Sequence, residues 1–346
     1  MLFSAKLINW YQKNQRNFPW RETKNPYFIW LSEIILQQTK TEQGLPYYIR
    51  FIEKYPTITD LANADEMSIL KLWQGLGYYS RARNLHYSAK YIVNELHSVF
   101  PKNYKELLKL KGVGDYTASA VASICYNEKT AVVDGNVYRV LARYFDMDIA
   151  INSGKGIKDF KLLAQELLPK SNYGLYNQAI MDFGATVCTP KRTKCTTCIF
   201  NDSCLALQKK KIHVLPVKIR KIKIKKRYFN YFVFLDKSNN TLINIRLGKG
   251  IWQNLYEFPL YESTKEIFEI DESLFPKNII KKNILSVDLF NEKIIQHKLS
   301  HQHIFTKFWL VKLDVNLVGS IPFYKIEEYP ISTLVHNFYT TFIKLI

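Results

Sequence analysis

The chain has 346 residues, with 49 Lys and Arg against 30 Asp and Glu, giving a formal charge of +19. That length allows roughly two domains and a sizeable core, and the charge points to a polyanionic partner, nucleic acid ahead of an anionic membrane surface. No apolar run reaches the roughly 18 residues of a membrane span and the N-terminus lacks a signal-peptide layout, so a cytoplasmic, nucleoid-associated monomer with no membrane partner is expected.

From residue 1 to about 207 the apolar spacing is helical. Pro26, Asp65 and Asp115 stand at helix starts, and Gly75 and Gly77 break the chain between two helices. On the segment WLSEIILQQT, Glu33 has Ile29 and Trp30 one turn before it and Leu36 one turn after. A carboxyl in that company resists ionising, and a raised pKa suits a general acid. The stretch LKGVGDYTA, residues 110–118, ends one short helix, turns through Gly112, Val113 and Gly114, and opens another at Asp115. Glycines there let backbone amides face an anion at a helix N-terminus. Twenty residues on, Asp134 in VVDGNVYRV reads as an N-cap. Its hydrogen bonds should keep it ionised, as a group that stabilises a nearby cation must be.

Four of the five cysteines, Cys188, Cys195, Cys198 and Cys204, fall in a C-x6-C-x2-C-x5-C run. With one close pair and no histidine, the run fits a cubane cluster better than zinc, which stays second. Lys191, Arg192 and Lys194 give this loop a positive edge, and Cys125 reads as a buried small hydrophobe. Residues 209–227 then hold ten basic residues and no acidic one. They read as a linker that runs, through alternating Lys and Ile, into a first strand. Beyond it YFNYFVFLD, TLINIRL, the region of SVDLF, and HIFTKFWLVKL have strand composition, with one helix candidate at STLVHNFYTTFIKLI.

The cysteine run after a helical region with a GVG turn resembles the endonuclease III superfamily of DNA glycosylases. The resemblance implies a helix-hairpin-helix at about 105–125, whose Gly112, Val113 and Gly114 bind a DNA phosphate, and a [4Fe–4S] loop at 188–204 held by the four cysteines. SEIILQQT is similar to the branch that removes adenine. In that branch Glu33 would protonate the leaving base, Asp134 would face the sugar and stabilise its cation, and Asn136 would orient the carboxylates. Tyr116 stands where strand-cutting members carry a Schiff-base lysine, and a phenol forms no imine. The same resemblance puts Trp20 and Gln178 in the base pocket. It puts Arg21, Leu36, Gln38 and Thr39 at the DNA, with Tyr78 of GLGYY as a wedge in the base stack.

GKGIWQNLYEFP, residues 248–259, resembles the Nudix-like C-terminal domain of the same enzymes. YESTKEIFEIDES lacks the REXXEE spacing of a Nudix hydrolase, so this domain should bind rather than hydrolyse. Ser300 and His301 fall where the family reads the oxidised guanine, with Leu299 in place of the usual phenylalanine.

The expected architecture is multidomain. An all-α helix-hairpin-helix glycosylase domain spans 1–207, a basic linker 208–226, and an α+β Nudix-like domain 227–346. The expected activity is monofunctional excision of adenine opposite 8-oxoguanine or guanine, with duplex DNA as partner. The rivals are an endonuclease III-type pyrimidine glycosylase/lyase, a non-catalytic damaged-DNA-binding protein, and a nucleotide-pool hydrolase.

Overall fold

Short amphipathic helices separated by capped turns make up the first two hundred residues of the computed structural model, which describes residues 2–219, 224–276 and 283–345. They are α1 (Phe3–Asn14), α2 (Pro26–Leu36), α3 (Thr41–Lys54), α4 (Ile58–Asn63), α5 (Glu66–Leu72) and α6 (Ser80–Glu95). Then follow α7 (Tyr104–Leu107), α8 (Asp115–Tyr126), α9 (Gly135–Tyr144), α10 (Gly154–Glu166), α11 (Tyr173–Thr186) and α12 (Leu205–Gln208). The expected punctuation has a physical basis. Pro26 occupies the first turn of α2, where a missing N–H costs nothing, and the Asp65 carboxylate accepts the Ser68 amide to cap α5.

The chain divides into two compact units, Met1–Asn63 with Asn84–Arg220, and Ala64–Arg83 with Lys221–Ile346. The division differs from a simple cut near residue 207 in two places. The segment 64–83, helical by pattern, groups with the C-terminal part. The start of the basic stretch packs on the helical unit: Ile212 and Leu215 are buried in its core, and the Arg143 guanidinium donates to the Leu215 carbonyl at 3.0 Å. The Lys–Ile alternation of residues 220–223 lies outside the described residues.

In the helical unit α11 runs through the core against α1, α8 and α9, with Tyr176, Ile180 and Phe183 buried. Gly184 makes this possible, because a Cβ there would lie 2.7 Å from that of Asn136 and 2.9 Å from the Asn136 carbonyl oxygen. The helix carrying Gln178 can therefore approach the start of α9 closely.

The second unit centres on a mixed sheet. Strand β1 (Lys225–Leu235) continues through β2 (Asn240–Thr241), β3 (Asn244–Ile245), β4 (Tyr256–Glu257), β5 (Leu260–Ser263), β6 (Ile284–Leu289), β7 (Ile295–Lys298), β8 (Gln302–Leu313) and β9 (Ile321–Pro322). β1 and β8 pair in parallel with Tyr228 opposite Phe305, β5 flanks β1, and β6 and β7 both pair antiparallel with β8. Burial of both central strands follows from their aromatic, β-branched composition. Helix α13 (Thr333–Phe342) stacks Phe338 on Phe308 at 4.1 Å between ring centroids. Between β5 and β6 the described residues contain one 3-10 turn and no α-helix.

Candidate active site

A cavity of about 490 Å³ opens in the helical unit, walled by the end of α2, the starts of α8 and α9, and α11. Glu33, Tyr116, Asp134, Asn136, Trp20, Arg21, Leu36, Gln38, Thr39 and Gln178 all line it. Residues separated by up to 158 positions in the chain thus share one chamber.

Glu33 is half-buried on α2, and desolvation pushes its carboxyl up to about 7. The nearby Asp134 carboxylate raises it further, whereas a hydrogen bond from Tyr116 and the charge of Arg21 hold it down. Tyr116 lies one residue into α8, its hydroxyl 3.2 Å from the Met181 sulfur and within hydrogen-bonding reach of Glu33. Burial and the two carboxylates keep that phenol protonated far above neutrality. Among the described residues no lysine lines the cavity.

Asp134 caps α9, its Oδ1 accepting the amides of Asn136 at 2.9 Å and Val137 at 2.8 Å. Its Oδ2 accepts the Asn136 side-chain amide at 2.7 Å. These bonds pull its pKa down, but desolvation outweighs them and the net direction is upward. Capping alone therefore does not set the Asp134 pKa: the cavity wall removes more water than the cap replaces. Asn136 is fixed in turn by Arg139, whose Nη2 donates to Asn136 Oδ1 at 2.8 Å and whose Nε donates to the Cys188 carbonyl at 2.6 Å. An arginine can only donate, so Asn136 must present its NH2 to Asp134.

Arg21 lines the cavity and is paired there with Asp182. Both of its terminal nitrogens bond Asp182, Nη1 to Oδ2 at 2.5 Å and Nη2 to Oδ1 at 2.6 Å, while Arg16 Nη2 reaches the same Oδ1 at 2.5 Å. A carboxylate only 1% exposed at its side chain needs such pairing to stay charged, and two guanidiniums hold it below the usual range. Trp20 is buried, stacked on Phe18 at 4.9 Å and edge-on to Tyr48 at 5.0 Å.

The GVG turn does not line the cavity. Gly112 has φ +82°, and a Cβ there would sit 2.8 Å from the Asn84 Cβ, so only glycine fits without strain. Val113 is buried and Gly114 is the extended N-cap of α8. Gln37 connects turn to cavity, its Nε2 lying 3.4 Å from the Gly112 carbonyl and 3.3 Å from Thr117 Oγ1. Gln38, beside it, adopts a left-handed φ of +56°.

Tyr78, Ser300 and His301 belong to the second unit. Ser300 and His301 form the tip between β7 and β8, closed by the Leu299 amide on the Gln302 carbonyl at 2.9 Å. The Ser300 hydroxyl meets the Tyr78 hydroxyl at 2.5 Å, and Tyr78, half-exposed at φ +46°, has the Arg81 guanidinium over its ring.

Cys188, Cys195, Cys198 and Cys204 are free thiols lining a second cavity of about 30 Å³. Among the described residues no three His, Cys, Asp or Glu side chains are already drawn into metal-ligating geometry. The donor set nevertheless suits a thiolate-held group. The Phe200 amide points at Cys198 Sγ at 3.4 Å and Arg143 Nη1 at Cys188 Sγ at 3.5 Å. Burial pushes the Cys198 thiol up to about 11, the other three cysteines adding to it.

Sequence reasoning missed Tyr11, Arg16, Gln37, Met181, Asp182 and Arg139. Helical spacing held a signal for two of them: Met181 and Asp182 follow Gln178 by three and four residues on α11, which puts all three on one face.

Residues 31–165 match the family described as HhH-GPD superfamily base excision DNA repair protein, and residues 230–341 match the NUDIX domain. The chain is 34% identical over 325 residues to an adenine DNA glycosylase of Buchnera aphidicola subsp. Baizongia pistaciae, covering 92% of this chain and 89% of that protein. It is 40% identical over 216 residues to the adenine DNA glycosylase of Homo sapiens, covering 60% of this chain and 40% of that one. Among solved structures, a thermostable thymine-DNA glycosylase aligns with a TM-score of 0.56 and 32% identity, covering 60% of this chain and 95% of that chain. A non-covalent endonuclease III–DNA complex aligns at 0.52 and 20% identity, over 61% and 99%, and shares the fold of the helical part. With two matched domains in series and a relative aligned over nine-tenths of its length, the chain belongs to the adenine DNA glycosylase family.

Proposed function

We propose that this protein hydrolyses the N-glycosidic bond of adenine mispaired with 8-oxoguanine or guanine in duplex DNA, leaving an abasic site. The observation that carries the reading is Glu33, a carboxyl whose pKa desolvation raises to about 7, in the cavity beside a second, hydrogen-bonded carboxyl. An acid and a charge-stabilising partner on one glycosidic bond is a recurring arrangement for such chemistry. A base flipped from the duplex enters the chamber. Glu33 donates its proton to N7 of adenine, and the electrons of the C1′–N9 bond leave with the base. Asp134, ionised when it acts, stabilises the sugar cation. Water then adds at C1′, and its released proton restores Glu33.

The lyase reading and the similarity to a thymine-DNA glycosylase both predict different products. Incubation with A:8-oxoG, A:G and T:G duplexes should release adenine from the first two. Borohydride should trap little covalent protein–DNA adduct, since no lysine amine lines the chamber among the described residues. Thymine release, or efficient trapping, would overturn the proposal.

The second unit supplies the reading of the opposite base in this proposal, through Ser300, His301 and the wedge Tyr78. Ser300 spends its hydroxyl on Tyr78 in the free protein and would exchange that partner for the oxidised base. Ser300→Ala/His301→Ala should lower the ratio of A:8-oxoG to A:G cleavage by roughly ten- to two-hundred-fold, the equivalent of about 1–3 kcal/mol, with A:G cleavage nearly unchanged. An unaltered ratio in single-turnover assays would move recognition to Gln38 and Thr39.

Cys188, Cys195, Cys198 and Cys204 would hold a [4Fe–4S] cluster. Bound, it would cross-link the 188–204 loop and present Lys191, Arg192 and Lys194 to phosphates. Arg139, donating to both the Cys188 carbonyl and Asn136, ties that loop to the Asp134 cap. Gly112, Val113 and Gly114 would receive a backbone phosphate at the N-terminus of α8.

A further inference from the structure

Behind the base pocket lies a chain of hydrogen bonds whose polarity is fixed from one end. Asp182 can only accept and Arg21 can only donate. Arg21 Nη1, already on Asp182, also donates to the Tyr11 hydroxyl at 3.0 Å. The Tyr11 oxygen is then occupied as an acceptor, and its own proton goes to Gln178 Oε1 at 3.2 Å. Tyr11 is 1% exposed, so no bulk water competes for that proton. Burial also pushes its pKa up, so the phenol remains a donor throughout the neutral range.

We infer that Tyr11 is a positioning residue that fixes the Gln178 amide with its NH2 toward the chamber, so that the pocket selects a purine whose N1 is a hydrogen-bond acceptor. The inference deepens the proposed function and rests on it. An amide is nearly symmetric in shape, so its two orientations differ only through their partners. With Oε1 turned to Tyr11, Gln178 presents its NH2 donors to the base. Adenine accepts at N1. Hypoxanthine carries a proton there, which would leave two donors facing each other in the pocket, an arrangement that discriminates strongly. Without the Tyr11 hydroxyl the amide can turn and accept from hypoxanthine.

The test measures single-turnover release of adenine and of hypoxanthine placed opposite guanine, with the full-length protein and its variants. Tyr11→Phe keeps the ring and removes one oxygen. It should lower the adenine-to-hypoxanthine ratio by about tenfold, with thermal melting and binding to an abasic-site duplex retained. Gln178→Met, which keeps the volume and removes both donors and acceptor, should lower the ratio to a similar level, and it tests the reader where Tyr11→Phe folds poorly. In the Gln178→Met background, Tyr11→Phe should change the ratio no further. A parental ratio in either single variant overturns the inference, as does an equal additional drop in the double variant, which would make Tyr11 act independently of Gln178. Adenine release with an unchanged ratio sinks this inference alone. Absence of adenine release by the unaltered protein sinks the proposed function and this inference together.

Discussion

Glu33→Gln should slow adenine release by about 10²- to 10⁴-fold, the usual contribution of a positioned general acid, while mismatch-duplex affinity changes little. Glutamine fills nearly the same volume and still accepts from Tyr116, so what disappears is the transferable proton. The same substitution should stabilise the protein above neutral pH. The folded-state pKa of about 7 lies above the ordinary 4.5, so the folded protein holds the proton more tightly than the unfolded chain. That favourable contribution is complete below pH 4.5 and is lost as pH rises through 7. A neutral glutamine escapes the loss, and the variant should be more stable at pH 8 by up to about 3 kcal/mol. Denaturant melts of both proteins at pH 5 and pH 8 check this: the gap should open only at the higher pH. Equal activity, or a gap independent of pH, would mean that Glu33 is not the desolvated acid described here.

The second large effect is expected at Asp134. Asp134→Asn should cost about 10²–10³-fold in single-turnover rate, the scale for losing one group that stabilises developing charge. The damage has two sources. A neutral amide cannot offset the sugar cation, and its NH2 would face the NH2 of Asn136, which Arg139 holds in place. The pH profile separates acid from charge stabiliser. With Glu33 active when protonated, rate should fall above pH of about 7. With Asp134 active when ionised and its pKa raised by burial, rate should also fall as pH drops through that raised value, giving a bell. Asp134→Asn should lose the acidic limb and keep the basic one. A profile with both limbs intact in that variant would assign the acidic limb to another group.

Local chemistry made much of this legible in the linear chain. Pro26 and Asp65 mark helix starts because a proline ring and a capping carboxylate act within one turn, and Glu33 reads as a suppressed acid because its neighbours at helical spacing are apolar. The aromatic and β-branched runs at 228–236 and 303–313 read as strands because their composition suits a doubly buried sheet. The resemblance carried by SEIILQQT, GVGDYTA and the cysteine run supplied the rest of the expected site. Tertiary structure decided what depends on partners distant in sequence. Nothing near Arg21 announces that it is clamped by Asp182, 161 residues away, or that Tyr11 stands between it and Gln178. Nor could the cap at Asp134 reveal its net pKa direction, because the desolvation that outweighs three hydrogen bonds comes from the assembled cavity wall. The segment 64–83 is helical by pattern, yet it groups with the C-terminal unit through contacts such as Asn254 Nδ2 on Glu66 Oε1 at 2.5 Å and Lys71 Nζ on the Tyr329 carbonyl at 3.3 Å. Periodicity specifies which face of a helix is buried, but the surface that buries it is chosen by the whole chain.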